Sequence, residues 1–369
     1  MSRAPAGLFT PLRIRGLEFA NRLVLSPMCQ YAARDGLAGD WHVDHYAHMA
    51  MSGLGAAVVE ATAILPEGRI TPACLGLWDE AHVPGLARIV AALHRHGARA
   101  GIQLGHAGRK GACAAPWDGG APLPAGQADR WQPVAPSALP HAPGWPVPRA
   151  LGLADLAALR AAYVAAARRA IAAGFDFIEL HGAHGYLLHS FLSPLSNRRE
   201  DGYGACPEAR MRLPLEVARG LRAAMPDAMP LFYRASCIDR VAGGLTLEDT
   251  LRLAEGLKEA GVDLIDCSAG GIAPGTNGAA LGAALTGQHG MAARLRAETG
   301  LATMAVGGIH APRQALDLIA QGQADLVAVG TEMLRAFDFP RRCAEAAGLD
   351  DPDAVQPLRY AFHNRAARG

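Results

Sequence analysis

Two imidazoles and a phenol stand close together in the segment HGAHGYLLH, as His181, His184 and Tyr186. Both kinds of side chain donate hydrogen bonds and exchange protons, which is the chemistry of general acid–base catalysis. The spacing of three between the histidines predicts that both lie on one face of a helical turn. One histidine alone would more often be an ordinary polar residue, but the three groups together favour a catalytic site.

A second set of residues has the chemistry of a site for a flat ring and a phosphate. Gln103 offers an amide, Arg234 a guanidinium and Ala63 a small surface, which suits a heteroaromatic ring with donor and acceptor edges. Four small residues follow the last two apolar runs of the chain, namely Gly307, Gly308, Gly330 and Thr331. Barrels bind phosphate at that position through backbone N–H groups. A phosphate site beside a polar-edged ring describes flavin mononucleotide, FMN.

Eight short apolar runs, each followed by a loop and a stretch of helical period, must position these groups. Such runs are typical of parallel strands that are covered on both faces, and eight of them close a (β/α)8 TIM barrel. Function then sits at the C-terminal ends of the strands, where the residues above fall. The runs are Arg22–Pro27, Ala56–Ala61, Arg99–Leu104, Phe175–Leu180, Pro230–Ala235, Val262–Cys267, Ala302–Val306 and Asp325–Val329.

Two segments depart from this pattern within what we predict to be a single FMN-binding domain, residues 1–369. Residues 1–21 contain Gly16 and predict a hairpin that caps the barrel floor. Residues 111–150 are rich in Pro, Gly and Trp, and they follow the third strand, so they predict an active-site loop over the mouth. Residues 356–369 form a C-terminal tail. We expect helices from Leu153 to Ala173 and from Leu247 to Ala260, the second capped by Thr246.

Composition excludes several classes of function. The chain of 369 residues has 35 Lys and Arg against 34 Asp and Glu, so it lacks the charge excess that binding to nucleic acid or to an anionic membrane requires. No stretch approaches the roughly 20 apolar residues of a membrane helix. The seven cysteines include no C-x-x-C pair, which argues against a cysteine-held zinc site. We therefore predict a soluble, cytoplasmic protein without a metal.

Several stretches resemble the Old Yellow Enzyme family of flavin ene-reductases. They are SPMCQY, IQLGHAGRK, ELHGAHGYLLHSFLSPLSNRREDGYG and the Arg of LFYRAS. The Cys of SPMC and the His-x-x-His pair resemble its bacterial YqjM / xenobiotic reductase A-like subgroup. The resemblance extends from about residue 8 to the C-terminus, and the long HGAHGYLLHSFLSPLSN stretch is its most specific part.

The resemblance implies an FMN-dependent NAD(P)H ene-reductase that reduces the C=C bond of α,β-unsaturated carbonyl or nitro compounds by ping-pong hydride transfer. His181 and His184 would donate to the substrate oxygen, Tyr186 would protonate the α-carbon, and Tyr31 would add a hydrogen bond to the substrate. Because barrels of this subgroup commonly form homodimers or homotetramers, the resemblance implies a homodimer or homotetramer here, with a small-molecule enone or related activated alkene as the substrate. The implied FMN contacts are Ser26, Pro27, Met28, Cys29, Ala63, Gln103, His181, Arg234, Gly307, Gly308, Gly330 and Thr331.

Two positions depart from the family pattern. Thr331 stands where the family usually has an Arg that pairs with the phosphate, and Arg335 or Lys110 could supply that charge. The tail carries Phe362 and His363 where the YqjM type places an Arg in a neighbour's site, and this resembles the aromatic tail that shapes the pocket in xenobiotic reductase A.

Other interpretations remain open from the sequence. Arg234 could pair with Glu179 or Asp266 as well as contact the flavin. The chain could be a barrel that lost its flavin, or a lyase. Lys110 and Lys258 are the only lysines, and we expect neither to face the mouth, which disfavours a Schiff-base lyase. His42, His45 and His48 drift around a helix without an obvious carboxylate partner, so we expect no metal there.

Overall fold

A computed structural model describes residues 7–276 and 288–366. The first six residues of the predicted cap segment and the last three of the predicted tail lie outside the described residues. No helix in the two described ranges combines the length and the apolar character that crossing a bilayer requires.

Eight parallel strands close into a barrel in which each strand pairs with the next one along the chain and the last pairs with the first. This confirms the predicted (β/α)8 fold. The barrel strands are β3 Leu23–Leu25, β4 Ala56–Ala63, β5 Arg99–Gly105, β8 Phe177–Gly182, β9 Leu231–Ser236, β10 Leu264–Ser268, β11 Ala302–Val306 and β12 Leu326–Val329. Nearly every residue of these strands is buried, because helices cover the outside and side chains fill the inside.

Helices alternate with the barrel strands along most of the chain. Their bounds are α1 Asp40–Ala50, α2 Val83–Arg95, α3 Leu153–Ala172, α4 Leu187–Leu192, α5 Pro207–Ala224, α6 Leu247–Glu259, α7 His289–Thr299, α8 Pro312–Ala320, α9 Thr331–Arg335, α10 Phe339–Ala346 and α11 Leu358–Ala366. The two helices whose bounds we predicted, α3 and α6, each end one residue earlier than expected. Thr246 caps α6 as predicted, since its side chain accepts from the Asp249 N–H.

An N-terminal hairpin closes the base of the barrel. Its strands are β1 Leu12–Ile14 and β2 Leu17–Phe19, which pair antiparallel. The Phe19 ring lies 5.7 Å from the Phe177 ring and 6.3 Å from the Phe232 ring, centroid to centroid, and all three side chains are fully buried. These rings, together with apolar side chains of the other strands, fill the lower interior. A ligand cavity inside the barrel must therefore open at the other end.

The long segment after β5 is anchored beside that other end. The guanidinium of Arg109, which lies where the segment begins, donates to the carbonyls of Pro140 and Ile272 at 3.2 and 2.9 Å. Two short strands, β6 Val134–Ala135 and β7 Arg149–Ala150, pair within the segment. Trp117 is 68% exposed and its ring meets that of Tyr31 at 5.5 Å. The segment thus contacts residues that follow β3, β5 and β10.

Candidate active site

A cavity of about 480 Å³ opens at the C-terminal ends of the barrel strands. That volume lies within the range of sites for small molecules and cofactors. Ten of the residues singled out from the sequence line it, namely Ser26, Pro27, Met28, His184, Tyr186, Arg234, Gly307, Gly308, Gly330 and Thr331. The strand ends therefore bring the predicted ring-binding, phosphate-binding and acid–base groups to one cavity.

The two imidazoles and the phenol converge, but not through a helical turn. His181 is the fifth residue of β8, and His184 lies beyond the strand with φ of 59°. Their rings stand perpendicular with centroids 5.2 Å apart, and the Tyr186 ring lies 4.9 Å from that of His181. The predicted helical turn is wrong: a strand end and a left-handed backbone bring the pair together.

Both imidazoles are neutral in this setting. Burial, followed by the positive charge of Arg234, holds the pKa of His181 and that of His184 well below the ordinary value. The N–H of Ala183 donates to Nδ1 of His181 at 3.3 Å, so the ring proton of His181 is on Nε2. Nε2 of His184 lies 2.7 Å from the Ser268 hydroxyl. Each ring can thus present an uncharged N–H group.

The phenol is held in its protonated form. Burial raises the pKa of Tyr186 well above its ordinary value. The Lys110 ammonium lies 5.2 Å from the centre of the phenol ring, in a cation–π arrangement. Because the phenol is already protonated and both imidazoles are neutral, Tyr186 can donate its proton without a prior proton transfer from a neighbouring group.

Lys110 lines the cavity, contrary to the sequence prediction that it faces away from the mouth. It ends a short 3₁₀ turn after β5, a position that the strand pattern does not reveal. Its amine donates to the carbonyls of His184 and Gly271 at 2.8 and 3.1 Å. Burial, then the charge of Arg109, lowers the pKa of Lys110 to about 8. An amine engaged with two carbonyls braces the cavity wall and is poorly placed to attack a substrate carbonyl.

Arg234 both lines the cavity and pairs beneath it, as the sequence left open. Its side chain is buried; Nη1 donates to the Ser26 hydroxyl at 3.2 Å, and Nε lies 3.2 Å from a carboxylate oxygen of Asp266. The neighbouring Glu179 accepts from the Gln103 amide at 2.8 Å. Two fully buried carboxyl groups thus lie near one guanidinium in the layer between the aromatic floor and the mouth, and Asp266 is the one within ion-pair distance of it.

One guanidinium can balance one carboxylate, so the second carboxyl group holds a proton. Burial, then the nearby Asp266, raises the pKa of Glu179. The folded protein therefore keeps a proton that the unfolded chain releases above the ordinary carboxyl pKa of about 4.3. The free energy of unfolding therefore falls as the pH rises from about 4.3 toward the raised pKa of Glu179, about 8, because over that range the native state binds more protons than the unfolded chain does.

We expect Glu179→Gln to remove part of this pH dependence. The amide keeps the shape of the protonated acid and has no proton to lose, so the free energy of unfolding should decline less between about pH 5 and 8 than in the wild type. Urea unfolding across that range measures it, with the exposed Glu259→Gln as the control. A slope unchanged from the wild type would mean that Glu179 is ionised in the folded protein.

The far end of the cavity carries the glycine turns. Gly307 and Gly308 have φ of 96° and 67°, the left-handed region that glycine adopts without strain. A Cβ on Gly330 would lie 3.2 Å from the sulfur of Met28, so a side chain there would crowd the wall. Thr331 begins α9, where backbone N–H groups lack partners within the helix. Small residues leave the backbone accessible at this end of the cavity.

Sequence reasoning missed several groups at this end. His310 and Glu332 line the cavity, and the Glu332 carboxylate lies 2.9 Å from Arg342 and 3.9 Å from His310. Gln288 also lines it, and its buried amide oxygen has no hydrogen-bond partner among the described residues. His310 lies two residues after Gly308, and Glu332 directly follows Thr331, so including the residues next to these predicted contacts would have found both. Arg335 is exposed and lies outside the lining, so Lys110 is the one of the two suggested cations that reaches the cavity.

Four of the predicted FMN contacts do not line the main cavity. Ala63 and His181 line an adjoining space of about 10 Å³, which shares Tyr186 with the cavity. Gln103 lies below the cavity in the Arg234 layer. The Cys29 thiol instead hydrogen-bonds that of Cys74, and burial adds to this contact in raising the pKa of Cys29.

Outside the mouth, the surroundings of His42 differ from expectation. His42 has a buried carboxylate near it, contrary to the sequence analysis: its Nε2 lies 3.6 Å from Glu60. His48 stacks on Phe337 at 4.3 Å. In the described ranges, no three His, Cys, Asp or Glu side chains are arranged to hold a metal. In the tail, Phe362 is 62% exposed, and His363 lines a separate cavity beside His48.

The cavity fits FMN. A buried guanidinium and the neutral imidazole and phenol donors supply the polar edges that a flavin ring needs. The glycine turns and the first residues of α9 leave backbone N–H groups and a hydroxyl for a phosphate. A Cβ at Gly330 would narrow the space between these two regions, and its absence leaves room for an elongated cofactor.

Comparison with known proteins supports this fit. Residues 7–350 match the model of the NADH:flavin oxidoreductase / NADH oxidase family. An NADPH dehydrogenase of Geobacillus sp. (strain WCH70) is 41% identical over 351 residues, which cover 95% of this chain and 97% of the relative. Morphinone reductase in complex with tetrahydroNAD is similar in structure, with a TM-score of 0.77, 27% identity and 96% of each chain covered. So is the old yellow enzyme homologue from Zymomonas mobilis, with a TM-score of 0.76, 26% identity, and 96% of this chain and 99% of that chain covered.

Proposed function

Because the chain belongs to the NADH:flavin oxidoreductase / NADH oxidase family, and is thus an FMN-dependent oxidoreductase with a nicotinamide hydride donor, we propose that it reduces the C=C bond of α,β-unsaturated carbonyl compounds. The observation that carries the proposal is the convergence of two neutral imidazoles and one protonated phenol at the edge of the cavity, where Tyr186 also lines the small space that His181 lines. Activated nitroalkenes fit the same chemistry, since their oxygens accept hydrogen bonds as a carbonyl does.

Bound FMN would supply the transfer of hydride from NAD(P)H to the alkene. We propose that Arg234 and Ser26 hold the edge of its ring, with Gln103 and His181 on the pyrimidine side. Gly307, Gly308, Gly330 and Thr331 would hold its phosphate through backbone N–H groups and a hydroxyl.

The imidazole pair acts on the substrate oxygen. As hydride reaches the β-carbon, negative charge develops on the carbonyl oxygen, and donors aimed at that oxygen stabilise the transition state. His181 presents its Nε2–H group, and His184 presents the nitrogen that Ser268 does not engage. Because both rings are neutral, they donate hydrogen bonds without giving up a proton.

Tyr186 delivers the proton that completes the reduction. Its hydroxyl proton moves to the α-carbon, and the phenolate recovers a proton from solvent. The nearby Lys110 ammonium, 5.2 Å from the ring centre, favours that transient negative charge. We further propose a substrate contact at Tyr31 and the exclusion of bulk water by the loop of residues 111–150, whose Trp117 ring packs against that of Tyr31.

Anaerobic half-reactions test the proposal. The purified protein should show flavin absorbance that bleaches with NADPH and returns on addition of 2-cyclohexenone, with cyclohexanone as the product. Substrate recovered unchanged while the flavin stays bleached would refute the ene-reductase assignment. Size-exclusion chromatography of the same sample tests our further proposal that the chain forms a homodimer or homotetramer.

Replacing the residue at the phosphate end should alter retention of FMN. We expect Thr331→Arg to tighten FMN binding by about tenfold, because a guanidinium adds a charge-assisted bond to the phosphate. Fluorescence of FMN released on dilution gives the dissociation constant. Leu334→Arg is the matched control, since Leu334 lies on the same helix, is 53% exposed and does not line the cavity. Looser retention in the Thr331 variant alone would show that the site requires the smaller residue.

A further inference from the structure

The turn that carries His184 is strained and tightly enclosed. His184 and Gly185 both have positive φ, 59° and 76°, and a non-glycine residue in that region needs support from its surroundings. A Cβ on Gly185 would lie 2.2 Å from the Gly271 carbonyl oxygen, so the turn passes against the loop after β10 with no spare room. Something must hold this backbone in place.

Three hydrogen bonds fix the polar backbone atoms of the turn. The His184 N–H donates to the Ser236 hydroxyl at 2.9 Å, and the His184 carbonyl accepts from Lys110 at 2.8 Å. The Gly185 N–H donates to Nδ1 of His189 at 2.8 Å. The first two partners come from neighbouring strands and loops, whereas His189 comes from α4, the helix that follows the turn.

The proton of His189 is placed by a carboxylate. Nε2 of His189 lies 2.9 Å from Oδ1 of Asp239, and both side chains are fully buried. The other oxygen, Oδ2, accepts from the Ser193 hydroxyl at 2.6 Å and from the Leu245 N–H at 2.7 Å. Burial favours the neutral acid, but these bonds outweigh it and lower the pKa of Asp239. Because Nδ1 accepts from the Gly185 N–H, the ring proton is on Nε2, and the carboxylate 2.9 Å away favours it there.

We propose that His189, oriented by Asp239, is a positioning residue that holds the His184–Gly185 turn and so aims His184 and Tyr186 at the substrate. It lies outside the cavity lining and acts through the backbone of the turn. The inference rests on the proposed function for its kinetic consequence, while the bond to Gly185 can be measured without any substrate.

Two amide substitutions separate the two bonds of His189. In His189→Asn the amide oxygen falls close to the place of Nδ1 and can still accept from Gly185, while the reach to Asp239 is lost. In His189→Gln the amide nitrogen falls close to the place of Nε2 and can still donate to Asp239, while the acceptor for Gly185 is lost. The matched control is His94→Gln, which alters a half-exposed histidine 2.7 Å from Asp176 and far from the mouth.

We expect the Gln variant to lose about 10- to 100-fold in kcat for enone reduction relative to the Asn variant, with the KM for NADPH and the flavin content equal in both. The ¹⁵N and ¹H shifts of the Gly185 amide should move in the Gln variant and stay near their wild-type values in the Asn variant. Equal losses in both variants, a larger loss in the Asn variant, or an unmoved Gly185 amide in the Gln variant would each overturn the proposal.

The two readouts also separate this inference from the proposed function. If the wild-type protein reduces no enone but the Gly185 amide responds as expected, the ene-reductase assignment fails and the positioning role stands. If enones are reduced at the same rate by wild type and both variants, the assignment stands and the positioning role fails.

Discussion

Alanine at position 184 is expected to lower the rate constant for enone reduction by about 100- to 1000-fold, the usual effect of losing one donor to a developing oxyanion. The His184 ring is neutral, stands perpendicular to that of His181 at 5.2 Å, and is tethered by Ser268. Oxidation of NADPH with oxygen as the acceptor should fall far less, because oxygen needs no donor of this kind. The flavin is first reduced anaerobically with NADPH. Stopped-flow measurement of its reoxidation by the enone and by oxygen then gives the two rate constants.

His94→Ala supplies the control for general effects of removing a histidine, since His94 lies on α2 away from the mouth. His181→Ala should resemble His184→Ala in the enone reaction. An equal loss of the enone and oxygen reactions in either active-site variant would mean that the imidazole serves the flavin and not the substrate.

Phenylalanine at position 186 is expected to slow enone reduction by about 100-fold or more, within the usual contribution of a positioned proton donor. The variant keeps the ring that packs 4.9 Å from His181 and loses only the hydroxyl, so the KM for the enone should change little. The raised pKa of Tyr186 keeps its proton available across the ordinary pH range.

Solvent deuterium provides a second measurement of the same step. The wild-type reaction should carry a solvent isotope effect on product formation, and Tyr186→Phe should change it, because the proton then comes from water. An unchanged rate and an unchanged isotope effect would identify solvent as the proton donor in the native enzyme.

The barrel could be predicted because its strands are nearly continuous apolar runs that end in polar or small residues. Strands of a parallel sheet that is covered on both faces have that pattern, and eight repeats of it match the strand count of a closed barrel. The exact ends of the strands could not be predicted. The fourth apolar run suggested a strand over Phe175–Leu180, whereas β8 spans Phe177–Gly182 and includes His181. Apolarity marks where a strand is buried, but hydrogen bonding decides where it stops.

The site was predictable only in part, because a strand end specifies where a side chain starts and not what it meets. His184 occupies a left-handed conformation that is uncommon for a residue other than glycine, so its spacing from His181 wrongly suggested a helix. Lys110 reaches the cavity from a short 3₁₀ turn and Glu332 from the five-residue helix α9, and both elements are too short to show a periodic pattern. The pairing of His42 with Glu60 joins α1 to β4, a contact between residues 18 positions apart that no local pattern reveals.

The rings of Phe19, Phe177 and Phe232 fill the base of the barrel, and this determines the route by which ligands reach the cavity. With the base filled, a ligand can enter the barrel only from the mouth, so under the proposed function the nicotinamide and the alkene would bind there in turn. An excess of either compound would then occupy the cavity mouth and slow the binding of the other. Turnover would therefore fall when either compound is in large excess over the other.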